Sequence, residues 1–133
     1  MKTLLAVVIS LIVGFLVAFV PMTMKSAELK AEIETSAQNL DDCRARAELA
    51  ELELKALSNF VGAYEAAMNK NYGIAQTRAI AGFDVAEMLS EKGVAPYPTV
   101  VTQRDELVSI LAKATDDAQP KMRLLLFSLY KEK

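Results

Sequence analysis

Residues 29–68 read LKAEIETSAQNLDDCRARAELAELELKALSNFVGAYEAAM, and the spacing of their apolar members decides the fold. One seam steps by alternating fours and threes through Leu29, Ile33, Ser36, Leu40, Cys43, Ala47, Ala50, Leu54, Leu57, Val61, Tyr64 and Met68. A period of roughly 3.5 residues sustained over this distance specifies one long helix with a coiled-coil-like seam. No proline interrupts the chain from Met22 to Ala95. From Ala45 a second stripe joins the first: Ala45, Leu49, Leu52, Ala56, Phe60, Ala63 and Ala67. A helix apolar on one seam projects as a stalk, whereas one apolar over a wider arc packs inside a bundle. The pattern therefore predicts a helical stalk over 25–44, kept solvated by Glu28, Lys30, Glu32, Glu34, Asp41, Asp42 and Arg44. The same helix continues into a small four-helix bundle over 45–133.

Upstream, Leu4 to Val20 read LLAVVISLIVGFLVAFV, seventeen residues without a charge. The uncharged run from Thr3 to Met24 extends to roughly 33 Å as a helix, enough to cross a hydrocarbon core of about 30 Å. This predicts a single-pass transmembrane anchor over 1–24, with the membrane as a partner. The alternative is a cleaved secretory signal with Met1-Lys2 as its basic start. The best small-residue site, Lys25-Ser26-Ala27, then places a lysine where a small residue is wanted, and the anchor is the expectation. The short Met-Lys tail points to a body outside the cytoplasm, periplasmic or extracellular.

Downstream, Asn69 to Gly73 reads as a turn, followed by a helix from about Gly73 to Lys92 with Gly93 just past its end. Its predicted seam is Ile74, Ala81, Val85 and Met88, beside a strip of small residues, Ala75, Ala79, Gly82 and Ala86. Pro96 and Pro98 predict a non-helical connector around Tyr97, with Thr99 capping a third helix to about Ala114. Asp116 or Asp117 is placed to cap a fourth, with Pro120 in its first turn and Met122, Leu125, Leu126, Leu129 and Tyr130 facing inward. The stretch from Tyr64 to Ala81, with Asn71-Tyr72-Gly73-Ile74-Ala75 at its turn, loosely resembles the helical hairpin of a tetratricopeptide repeat. That resemblance implies a peptide-binding hairpin stack. No second copy recurs at the period of about 34 residues, so no array is expected.

Chemistry is bounded by what is missing. The chain has no histidine and one cysteine, which removes histidine-dependent triads, Glu-x-x-His di-iron sites, haem attachment and zinc fingers. Five scattered glycines form no phosphate loop, and a net charge of −2 offers no basic footprint for nucleic acid. The acidic pairs Asp41-Asp42, Asp105-Glu106 and Asp116-Asp117 diverge by about 100° on a helix and do not converge on a substrate. The sequence predicts no enzyme, no cofactor, no metal and no small-molecule substrate.

Two surfaces remain as candidates for protein contact. A self-association seam runs through Ile33, Leu40, Cys43, Ala47, Leu54 and Leu57, and in a parallel homodimer Cys43 faces its own copy, in reach of an interchain disulfide. The same register sets Arg46 against Glu51 of the other copy. Leu124, Phe127 and Tyr130 on the last helix form a possible docking surface. The expected function is a membrane-anchored helical scaffold or adaptor. The alternative is a self-associating coiled-coil envelope protein, whose layout resembles that of phage inner-membrane spanins, or a secreted bundle after signal cleavage.

Overall fold

The computed structural model describes the backbone over 2–131 and the side chains of 10–14, 25, 26 and 28–130. Every regular element among the described residues is helical: α1 Lys2–Met68, α2 Tyr72–Glu91, α3 Tyr97–Val101, α4 Arg104–Ala112 and α5 Ala118–Lys131. The chain divides into two compact units, 1–45 and 46–133.

In the first unit every described side chain from Glu28 to Ala45 is exposed. Among the described residues no helix is long and apolar enough to cross a membrane. The transmembrane anchor expected over 1–24 is corrected on that finding, and with it the single-pass localisation and the bilayer as partner. The side chains of 1–9 and 15–24 lie outside the described residues.

The second unit is built on small residues. Alanine and glycine let helix backbones approach closely, and the two helices flanking the first turn carry them on facing stripes. Ala56, Ala63 and Ala67 of α1 and Ala75, Ala79 and Ala86 of α2 are all buried. The contact is keyed by one aromatic pair. Phe60 meets Phe83 edge to face with ring centroids 5.0 Å apart, and a Cβ placed on Gly82 would stand 2.8 Å from the Phe60 ring. Gly82 is thus the space into which Phe60 fits. Val100 from α3, Leu107 and Leu111 from α4, and Ala118, Met122, Leu125 and Leu129 from α5 complete one core.

Several predicted details change. On α2 the small-residue strip is buried together with Phe83, Leu89 and, from the predicted seam, Val85. Ile74 and Met88 of the predicted seam stand about half exposed. The region predicted as a proline connector and one third helix is instead two short helices. Pro98 sits in the first turn of α3, where a missing N–H costs nothing, so the helix starts at Tyr97 rather than after a Thr99 cap. Thr102 and Gln103 then separate α3 from α4. On α5, Met122, Leu125 and Leu129 are buried as the period requires, while Tyr130 points to solvent.

Three helices end the same way. At the close of α1, Asn71 N–H donates to Ala66 O and Lys70 N–H to Ala67 O. After α2, Val94 donates to Leu89 and Gly93 to Ser90; after α4, Thr115 donates to Ile110 and Ala114 to Leu111. This paired pattern satisfies two orphan carbonyls and needs a left-handed residue at the pivot. The pivots are Lys70 (φ 57°), Gly93 (φ 70°) and Ala114 (φ 50°). Only the second is the residue type that adopts this conformation without steric cost. Between helices, Arg104 at the start of α4 donates to Asp84 (2.7 Å) and Glu87 (2.6 Å) on α2, and Lys121 on α5 donates to Glu106 on α4 (2.5 Å). Its hydrogen bonds to the Glu87 and Asp84 carboxylates hold the Arg104 guanidinium above its usual range.

Two stability outcomes follow. Lys70→Gly relieves a left-handed side chain and raises unfolding free energy by about 0.5–1 kcal/mol in urea titration. Phe60→Ala empties the socket beside Gly82 and costs about 3–5 kcal/mol in the same assay, a large fraction of the stability of a body this size.

Candidate functional site

The surface outside the core carries large apolar side chains, and those on α1 from Leu29 to Met68 keep the coiled-coil spacing. In the first unit Leu29, Ile33 and Leu40 are 58%, 67% and 60% exposed, with Ser36 and Ala37 between them and Glu32 alongside. Cys43 is also exposed and forms no disulfide.

In the second unit the seam becomes the floor of a groove. Ala50, Leu54, Leu57 and Val61 of α1 lie open, because α1 buries its other stripe, through Ala56, Phe60 and Ala63, in the core. Helix α5 stands beside them and raises the opposite wall with Leu126, Leu129 and Tyr130; Tyr97 and Glu53 close the inner edge. The groove encloses about 530 Å³, within the size range of ordinary binding pockets, and its lining is mainly apolar. Arg123 stands next to Tyr64, at the far end of the same helix pair. It also borders a shallower depression with Leu126, Phe127 and Tyr130.

Of the seam residues singled out in the sequence, Ile33, Leu40 and Cys43 lie on the first unit and Ala47, Leu54 and Leu57 on the second, all of them exposed. The three residues of the predicted docking surface do not act together. Phe127 and Tyr130 share the depression on α5, while Leu124, though exposed, does not line it. Glu53, Tyr97, Leu126 and Leu129 had no place in the sequence-based site. They reach the groove through tertiary pairing of helices far apart in the chain. The only local sign was the acidic residue interrupting two apolar stripes in Leu52-Glu53-Leu54.

The titration of Tyr97 is displaced. Burial, with the nearby Glu53 carboxylate adding to it, pushes the phenol up to about 12 from its ordinary 10.0. Among the described residues no group of three or more Cys, Asp or Glu side chains is arranged to hold a metal ion. The groove offers apolar area and a concave shape. No protein-family model, curated protein or solved structure matches this chain.

The Tyr97 shift has a measurable consequence. The folded chain holds this proton more tightly than the unfolded chain does. Stability attributable to the group is full below pH 10 and falls as pH rises from 10 through about 12. Denaturant titrations should show Tyr97→Phe losing less stability than the parent across that window, by roughly 2–3 kcal/mol at its upper end.

Proposed function

We propose that this chain works by association rather than catalysis: it is a self-associating helical protein whose copies meet through the apolar seam of α1. The observation that carries the reading is the row Leu29, Ile33, Leu40, Leu54, Leu57 and Val61, large aliphatic residues at coiled-coil spacing that remain between 38% and 67% exposed. Scattered apolar side chains are ordinary on protein surfaces, whereas a row at this period is what a second helix covers.

Magnitudes support a moderate association. Each of these side chains is already partly covered, so moving it out of water contributes about 1 kcal/mol, and two copies supply twelve of them. Association costs an estimated 4–15 kcal/mol in lost translational and rotational freedom. The terms are comparable, which makes pairing concentration-dependent and sensitive to a single charge on the seam. The small residues Ser36, Cys43, Ala47 and Ala50 keep it from being stronger.

Sedimentation equilibrium tests the reading. The full chain should show a concentration-dependent dimer. Leu54→Asp, at a position 67% exposed and outside the core, should be monomeric with unchanged helical circular dichroism. A parent chain that stays monomeric at every concentration reached, or a dimer indifferent to Leu54→Asp, overturns it.

A further inference from the structure

We infer that the copies pair antiparallel, with the bare Leu29–Leu40 strip of one copy lying in the α1–α5 groove of the other. This rests on the self-association proposed above and adds its direction and register. Two shapes suggest it. The strip belongs to a stretch in which every described side chain from Glu28 to Ala45 is exposed, so nothing already packed on it obstructs entry into a groove. The groove has one apolar helix as its floor and a second as its wall, which is how a bundle receives one more helix.

The register follows from the sequence. The four-three spacing from Leu29 to Val61 reads the same in both directions, so a reversed copy meets seam with seam. Leu29 then faces Val61 of the other copy, Ile33 faces Leu57, Ser36 faces Leu54, Leu40 faces Ala50 and Cys43 faces Ala47. Small residues are matched with large ones in two of these layers, which fills space evenly. Parallel pairing instead sets Ser36, Cys43, Ala47 and Ala50 each against its own copy, four layers with little surface to bury.

Charge on one flank favours the same arrangement. Antiparallel helices bring equivalent flanking positions together, and here Lys30 lies by Glu65 of the other copy and Arg44 by Glu51. All four side chains are exposed. Arg44 has only a 3.9 Å contact with Asp41, fully in solvent, to give up. On the other flank the same rule brings Glu32 toward Glu53 of the other copy, a like-charge pair that offsets part of this gain. Parallel pairing offers Arg46 with Glu51 alone.

The arrangement also separates the two Cys43 thiols. They are offset by four residues along the axis, about 6 Å, across an interhelical spacing of about 8–10 Å, beyond the roughly 7 Å Cα separation that a disulfide tolerates. The natural dimer should therefore stay unlinked under oxidation.

Engineered cysteines decide the matter. Ile33→Cys and Leu57→Cys are made separately in a Cys43→Ser background, and each is oxidised alone and mixed with the other, with sedimentation run in parallel. A disulfide dimer that forms in the mixture and is absent from either variant alone is the expected result. Self-linking of Ile33→Cys alone means parallel pairing and overturns the inference. A dimer by sedimentation with no link in any sample places the contact elsewhere and also overturns it, leaving self-association intact. A monomer in sedimentation of the parent removes self-association itself. As a second readout, Lys30→Glu should weaken the dimer several-fold and Glu65→Lys in the same chain should restore it.

Discussion

The second unit depends on the fit of Phe60 into the space left by Gly82. With no side chain at Gly82, the ring of Phe60 settles against α2 and meets Phe83 edge to face, and the alanines on either side then come close enough to pack. An alanine seam has little surface of its own to bury, so it needs an aromatic key to fix rotation and register. With α1 and α2 locked, the other stripe of α1 is committed to the outside. The exposed floor of the groove is a consequence of that rotation. Helix α5 packs Met122, Leu125 and Leu129 into the core and leaves Leu126 and Tyr130 along the edge, which turns an exposed stripe into a concave site.

The sequence made some of this legible and concealed the rest for identifiable reasons. The long helix, its two stripes and the packing strip Ala75, Ala79, Gly82 and Ala86 follow from local periodicity, which depends only on helix geometry. The turn at 69–73 and the end of α2 at Gly93 were signalled by residue types that close helices. Local rules gave the wrong answer at Tyr97 and Pro98, where proline stands at a helix start instead of preventing one. They also placed Ile74 and Met88 on an apolar seam beside that strip, and both stand about half exposed, because the period marks apolar residues without fixing how far the neighbouring helices cover them.

The anchor is a different kind of correction. Composition alone argued for a span over 1–24, yet among the described residues no helix has the length and apolar character to cross a bilayer. The groove was illegible from the start. Its two walls are separated by more than sixty residues of chain, and no periodicity within one helix reveals which helix will stand beside it. Of its lining, the seam positions Ala50, Leu54, Leu57 and Val61 and the docking residue Tyr130 were visible before the fold.

Helix α5 has two duties at once: its buried side closes the core and its edge forms the wall of the groove. Fraying of this last helix would uncover Met122, Leu125 and Leu129 and dismantle the binding surface in the same event. Under the self-association proposed above, competence to bind is tied to the integrity of the fold, and a damaged or incompletely folded copy would forfeit its place among the others without any separate means of detecting it.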